Sequence, residues 1–208
     1  MSEFAVRWAE PGDAGAVADR IAAEVSRAGA KRIALPGGST PLKIFDLLAH
    51  RSLDWAGTTL TLTDDRQVPD DHPASNYGKL TAALGGSGAA FERLEVGAEL
   101  APFDLVWLGM GEDGHVASIF PHCNLEQMAG RRVIPTEPIP LPAEAPFARL
   151  SLNMTALSAT TELILVVTGA AKKAVIERAL AGEDLPVAML LQGRGAHWPP
   201  PVTIYWSA

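Results

Sequence analysis

Apolar positions along the chain follow two rhythms, one of helices and one of strands. Val17, Ile21 and Val25 fall at helical spacing, which predicts a helix from an Asp13 cap to about Ala28, stopped by Gly29. Leu42, Phe45, Leu47 and Leu48 predict a second helix over Leu42–Ala49, and Ser75-Asn76 opens a third over Tyr77–Leu84. Val175, Ile176, Ala179 and Leu180 share one face of a fourth, Lys172–Ala181. Between these lie runs of strand length: Phe4–Trp8, Arg32–Leu35, Thr58–Thr63, Phe103–Leu108, Glu162–Thr168 and Val202–Trp206. Phe103–Leu108 and Glu162–Thr168 are apolar enough to be buried on both faces, as strands of a parallel sheet are.

The intervening pieces read less sharply. Gly85–Gly88 predicts a loop with no strand after it, and Asn124–Ala129 a short helix. Arg131–Thr136 is expected to be extended. Pro138, Pro140, Pro142 and Pro146 make Glu137–Pro146 a loop. Arg149–Asn153 alternates like an edge or antiparallel strand, Thr155–Ala159 is a helical turn, and Pro186–Leu191 a short segment. Strands alternating with helices predict an α/β fold with a mainly parallel, Rossmann-like sheet and helices on both faces. No repeat or composition shift marks a boundary, so residues 1–208 are expected to form one domain.

Four predicted strands end in polar or glycine-rich turns, and in an open α/β sheet such ends converge on one rim where ligands bind. After Leu35 comes Gly37-Gly38-Ser39-Thr40, an anion site if the free amides of a helix start point at one spot, or an ordinary turn capped by Thr40 with Pro41 at N1. After Thr63 come Asp64, Asp65 and Arg66; the arginine suits a bidentate phosphate clamp or a surface ion pair with either acid. After Leu108 the chain reads Gly109-Met110-Gly111-Glu112-Asp113-Gly114-His115, where glycines permit sharp turns and an acid stands two residues before an imidazole. His115 is either a proton acceptor oriented by Asp113 or a structural histidine. After Thr168, Gly169-Ala170-Ala171 leads to Lys172 at a helix start, a poor place for a cation unless an anion shares it.

Composition narrows the field. Of 208 residues, 48% are apolar and 20% charged, as in an ordinary globular protein, and the net charge of −7 argues against a nucleic-acid surface. Cys123 stands alone, which excludes an internal disulfide. Neither a signal-peptide core nor a bilayer-length apolar run is present, so a cytoplasmic protein without membrane partners is expected. Gly109, Gly111 and Gly114 satisfy G-x-G-x-x-G, but Pro121 cuts short the helix a dinucleotide site needs. There is no G-x-S-x-G elbow, no nucleotide P-loop, and no zinc spacing among His115, His122 and Cys123. A histidine base, carboxylates and cations remain: sugar-phosphate chemistry with no bound cofactor or metal.

LPGGSTP, TDDRQVPDDHPASNYG, LGMGEDGHVASIFP, ARLSL and VTGAAKKAV follow one another here in the order seen in 6-phosphogluconolactonases, and the resemblance covers most of the chain. It implies a fold similar to that of ribose-5-phosphate isomerase and glucosamine-6-phosphate deaminase. It implies hydrolysis of 6-phospho-D-glucono-1,5-lactone to 6-phospho-D-gluconate in the oxidative pentose phosphate pathway. By the same resemblance His115 is the general base. Arg66 and Lys172 hold the phosphate with the Gly37, Gly38, Ser39, Thr40 turn, while Arg149 and Asp64 belong to the pocket. Backbone around Gly109, Gly111 and Gly114 is expected to meet the oxyanion, and Asp113 to hold the imidazole or position water. The chain departs from the family pattern at Asp65, where glutamate is common, and at His122, where glycine is. Two rivals remain: a glucosamine-6-phosphate deaminase or related isomerase, and a non-catalytic sugar-phosphate sensor. Deaminases resembling this chain carry Asn-Glu-Pro after the histidine, where Ser118-Ile119-Phe120-Pro121 stands here; a regulator needs a DNA-binding module, and no spare region for one is visible.

Overall fold

The structure, a computed structural model, describes residues 6–123, 129–143, 145–193 and 200–208. The first half of the chain runs β1 (Val6–Trp8), α1 (Ala14–Val25), β2 (Lys31–Leu35), α2 (Ser39–Ala49), β3 (Thr58–Leu62), β4 (Asp64–Arg66), α3 (Asn76–Leu84) and β5 (Ala90–Glu92). The second half runs β6 (Phe103–Leu108), β7 (Val133–Thr136), β8 (Arg149–Leu152), α4 (Met154–Ser158), β9 (Thr160–Thr168), α5 (Ala170–Leu180), α6 (Pro186–Gln192) and β10 (Val202–Ser207). Among the described residues, seven strands form a parallel sheet in the order β1-β10-β9-β6-β2-β3-β5.

Side chains alternate across this sheet and bury both faces. Ile33, Leu35, Leu105, Trp107 and Ile164 pack under α1, α2 and α3 with Ile21, Phe45 and Leu80. Their neighbours Ala34, Val106, Leu108, Leu163 and Leu165 face α4, α5 and α6 with Leu157, Ile176 and Leu190. The Asp13 carboxylate accepts from the Ala16 amide and starts α1 as expected, although the helix ends at Val25. No described helix is long and apolar enough to cross a membrane.

Several elements differ from the sequence reading. A three-residue edge strand, β5, does follow the Gly85–Gly88 loop and pairs with β3; it is too short to show a period. Asp64–Arg66 is not merely a turn: β4 joins β8 and β7 in a small antiparallel sheet, with Asp64 opposite Ser151 and Arg66 opposite Arg149. Helix α2 starts at Ser39 with Gly38 as its N-cap, so Thr40 is not the cap and Pro41 lies inside the first turn. There the missing proline N–H removes no helical hydrogen bond. The helix expected over Asn124–Ala129 falls, apart from Ala129, outside the described residues.

The N-terminal end of β9 carries a charged network. Arg20 Nε and Nη2 donate to Glu162 Oε2 at 2.9 and 2.6 Å, Nη2 also to Glu24 at 2.9 Å, and Thr203 Oγ1 to Glu162 Oε1 at 3.1 Å. Burial opposes ionisation of Glu162, but the Arg20 hydrogen bonds and charge outweigh it and hold the carboxyl below its usual range.

Candidate active site

Strands β9, β6, β2 and β3 lie side by side and parallel, so the four polar strand ends stand on one rim. The chain leaves β2 toward β3 and β5, then returns on the other side of β2 as β6 and β9. The crevice between β2 and β6 is thus the topological switch point. A cavity of about 360 Å3 opens there, and all four strand ends contribute to its wall.

From β2, Gly37, Gly38 and Thr40 line the cavity, and Ser39 is the first residue of α2. Gly38 has φ +109°, a conformation that favours glycine. No side chain caps α2, so its first-turn amides and the positive end of its dipole are left for another acceptor. Gly37 is glycine for a different reason: a Cβ there would stand 1.9 Å from Asn76 Cγ.

From β4 and β8 come a buried carboxylate and two guanidinium groups. Asp64 Oδ2 accepts from Ser118 Oγ at 2.7 Å, which ties the end of β3 to the loop after β6. Arg66 makes no ion pair with Asp64 or Asp65 among the described residues; its Nη1 donates to Ala74 O at 2.9 Å and Asn76 Oδ1 at 3.0 Å. Asp65 instead pins the start of α3, accepting from the amides of Arg66, Asn76 and Tyr77 at 2.7, 2.7 and 3.0 Å. Burial nevertheless pushes the Asp65 carboxyl up, and the charge of Asp64 adds to it. Arg149 is buried, and its Nε and Nη2 donate to Phe147 O and Ala145 O at 3.2 and 3.4 Å. Burial first, and then the like charge of Arg66, push its guanidinium down.

The loop after β6 presents His115 to the cavity. Asp113 Oδ1 lies 2.6 Å from His115 Nδ1 and accepts the His115 amide at 3.1 Å. A carboxylate oxygen accepts, so Nδ1 is the donor in this pair and Nε2 is the ring nitrogen that Asp113 leaves unengaged. The ring packs against Phe120 at 5.0 Å between centroids, and Phe120 stacks on His122 at 5.7 Å. Gly111 makes room for the ring: a Cβ would come within 2.2 Å of its Cε1 and Nδ1. Gly109 and Gly111 line the cavity, but Gly114 does not; it turns at φ +79° against Leu185. The Gly111 amide donates to His115 O at 2.9 Å and the Gly114 amide to Gly111 O at 3.1 Å, so both are engaged within the loop. No helix follows this loop within residues 115–123, as a dinucleotide site requires.

Lys172, in the first turn of α5, lines the same cavity and has no ion pair among the described residues. A second cavity of about 650 Å3 adjoins the far side of His115 and carries Asp113, His122 and the proline loop on its wall. Among the described residues, no group of three His, Cys, Asp or Glu side chains is placed to hold a metal ion. Sequence reading missed Asn76, Trp107, Met110, Ala117 and Thr168, which also line the main cavity. Only the nearness of Asn76 to a helix start hinted at any of them.

The sequence pattern of the family of glucosamine-6-phosphate isomerases and 6-phosphogluconolactonase matches residues 13–93 and 86–198. The chain belongs to this family. Within it, a 6-phosphogluconolactonase of Pseudomonas putida is 34% identical over 216 aligned residues, covering 91% of this chain and 85% of the relative. The solved structure of a 6-phosphogluconolactonase from Shewanella baltica OS155 is 30% identical and superposes with a TM-score of 0.79, covering 100% of this chain and 99% of that one. A monomeric glucosamine-6-phosphate deaminase, 17% identical, shares the fold with a TM-score of 0.76, covering 97% and 96% of the two chains.

Proposed function

We propose that this chain hydrolyses 6-phospho-D-glucono-1,5-lactone to 6-phospho-D-gluconate, the hydrolytic step of the oxidative pentose phosphate pathway. The observation that carries the reading is a histidine, held through Nδ1 by Asp113, in a cavity that also takes Arg66, Arg149 and Lys172. The 34% and 30% identical relatives bearing the 6-phosphogluconolactonase name support it. The sugar phosphate sets its phosphate among the cations and the α2 N-terminus, and its C1 carbonyl near His115. His115 Nε2 takes a proton from water as the water oxygen attacks C1. The tetrahedral oxyanion collapses, the bond from C1 to the ring oxygen breaks, and the imidazolium returns its proton to that oxygen. Asp113 steadies the imidazole and the charge it acquires. A lactone is already activated, so neither a covalent nucleophile nor a metal is needed.

The deaminase reading is weaker because the segment after the histidine carries no acid. Ser118 donates to Asp64, and Phe120 packs on the His115 ring. One experiment separates the functions: lactone loss above its spontaneous rate, ammonia release from glucosamine-6-phosphate, and ligand binding without turnover. We expect catalysed lactone loss. Ammonia release, or binding with no turnover of either substrate, would overturn the assignment.

A further inference from the structure

Arg66 is held by the protein at one nitrogen and left without a partner at another. Both hydrogens of its Nη1 are engaged, by Ala74 O and by Asn76 Oδ1. Its Nε is buried with no partner. The Nε–Nη2 edge is therefore the one left for a ligand, and it presents the two parallel N–H groups that grip a phosphate side-on.

Asn76 is 3% exposed, and both ends of its side-chain amide are engaged. Its Nδ2 donates to Asp64 O at 3.2 Å, its Oδ1 accepts from Arg66 at 3.0 Å, and its amide donates to Asp65 Oδ1 at 2.7 Å. A flipped amide would set NH2 against the guanidinium and oxygen against oxygen, so the observed orientation is the one the network allows. Asn76 in turn occupies the space where any side chain at residue 37 would begin: a Cβ on Gly37 would stand 1.9, 2.1 and 2.2 Å from Asn76 Cγ, Nδ2 and Oδ1.

We propose that Asn76 is a positioning residue for phosphate recognition, fixing the Arg66 guanidinium so that its Nε–Nη2 edge stays free of protein partners, and that Gly37 is a glycine chiefly to admit Asn76. The proposal rests on the reading that Arg66 holds the substrate phosphate. It makes the first glycine turn and the β4–α3 turn one device, although 39 residues separate their key members.

The test compares Arg66→Ala, Asn76→Ala, Asn76→Asp, Gly37→Ala and the Gly37→Ala/Asn76→Ala double variant. The readouts are kcat, KM, inhibition by inorganic phosphate and melting temperature. Asn76→Ala should raise KM and the phosphate inhibition constant roughly tenfold, the order expected for a lost hydrogen bond to a charged group, with a much smaller change in kcat. Asn76→Asp keeps the size and suits a helix start, so it covers the case in which Asn76→Ala fails to fold. It should also weaken phosphate binding, because its carboxylate pairs with Arg66 and repels the ligand. Gly37→Ala alone should resemble Asn76→Ala, whereas in the Asn76→Ala background it should add less than about twofold, since the colliding side chain is gone. If Arg66→Ala weakens phosphate inhibition while both folded Asn76 variants stay within about twofold of wild type, the inference falls and the phosphate reading stands. If Arg66→Ala itself leaves inhibition unchanged, both fall.

Discussion

A histidine serves as a base when one ring nitrogen is occupied and the other is left open, and the contact between Asp113 and His115 Nδ1 meets that condition. His115→Asn should leave the fold intact and lower catalysed turnover by roughly 10²–10⁴-fold, the usual worth of a positioned acid–base group. Asp113→Asn should also slow the reaction. A folded His115→Asn enzyme with near wild-type turnover, after subtraction of spontaneous hydrolysis, would remove the base from the mechanism. Gly111→Ala attacks the same pair from the backbone side. The new methyl would lie within 2.2 Å of the ring and 2.6 Å of Asp113 Oδ1, so kcat should drop while circular dichroism stays native.

At the scale of elements, the loop after β6 is braced by a strand far from it in sequence. Ser118 Oγ reaches Asp64, and the Ser118 amide donates to Ser151 Oγ at 3.1 Å. Ser118→Ala strips a buried carboxylate oxygen of its donor, and the expected destabilisation is about 1–3 kcal/mol, read from chemical denaturation. This brace was not legible in the sequence, because nothing local reports a contact spanning 54 residues. What was legible came from periodicity: the alternation around Leu60 and Leu62 in β3 and the apolar runs of β6 and β9 directly reflect two buried faces. Strands of three residues, β4 and β5, contain too little sequence to show a period, and β4 draws its pairing from β8, more than 80 residues on. The polar strand ends were readable as a set because parallel topology places every such end on one rim. Asn76 was not, since its role depends on which face of a helix start meets a guanidinium. The positive φ of Ala117, +50°, likewise left no local trace, as alanine carries no preference for that conformation.

At the scale of the molecule, the two ends of the parallel sheet do different work. The cavity lies at the carboxyl end, and the Arg20–Glu162 network sits at the other. Because the folded Glu162 carboxyl is held below its usual range, it stabilises the protein above the ordinary glutamate value, and that contribution is lost as pH falls through the folded one. Glu162→Gln should therefore lower the melting temperature at neutral pH and flatten its fall in acid, with lactone turnover at moderate temperature unchanged. An identical acid profile in both proteins would show that the network is not what acid dismantles. Exhaustive chelation should leave activity intact, since no described cluster of side chains suits a metal; a loss reversed by one particular divalent ion would contradict this. Arg66 and Arg149 face each other across the β4–β8 ladder, and the charge of Arg66 adds to burial in pushing the Arg149 guanidinium down. Like charges set opposite in a sheet destabilise it until something negative comes between them. Heat resistance and occupancy are thereby linked: a phosphate-bearing ligand at about a hundred times its dissociation constant adds about 2.7 kcal/mol to the folded state. In a chain of this length that amounts to several degrees of melting temperature. On the proposed reading, a sugar phosphate bound between these cations would raise the melting temperature by the same contact that holds it for reaction, and a thermal shift with 6-phosphogluconate that vanishes in Arg66→Ala would read it.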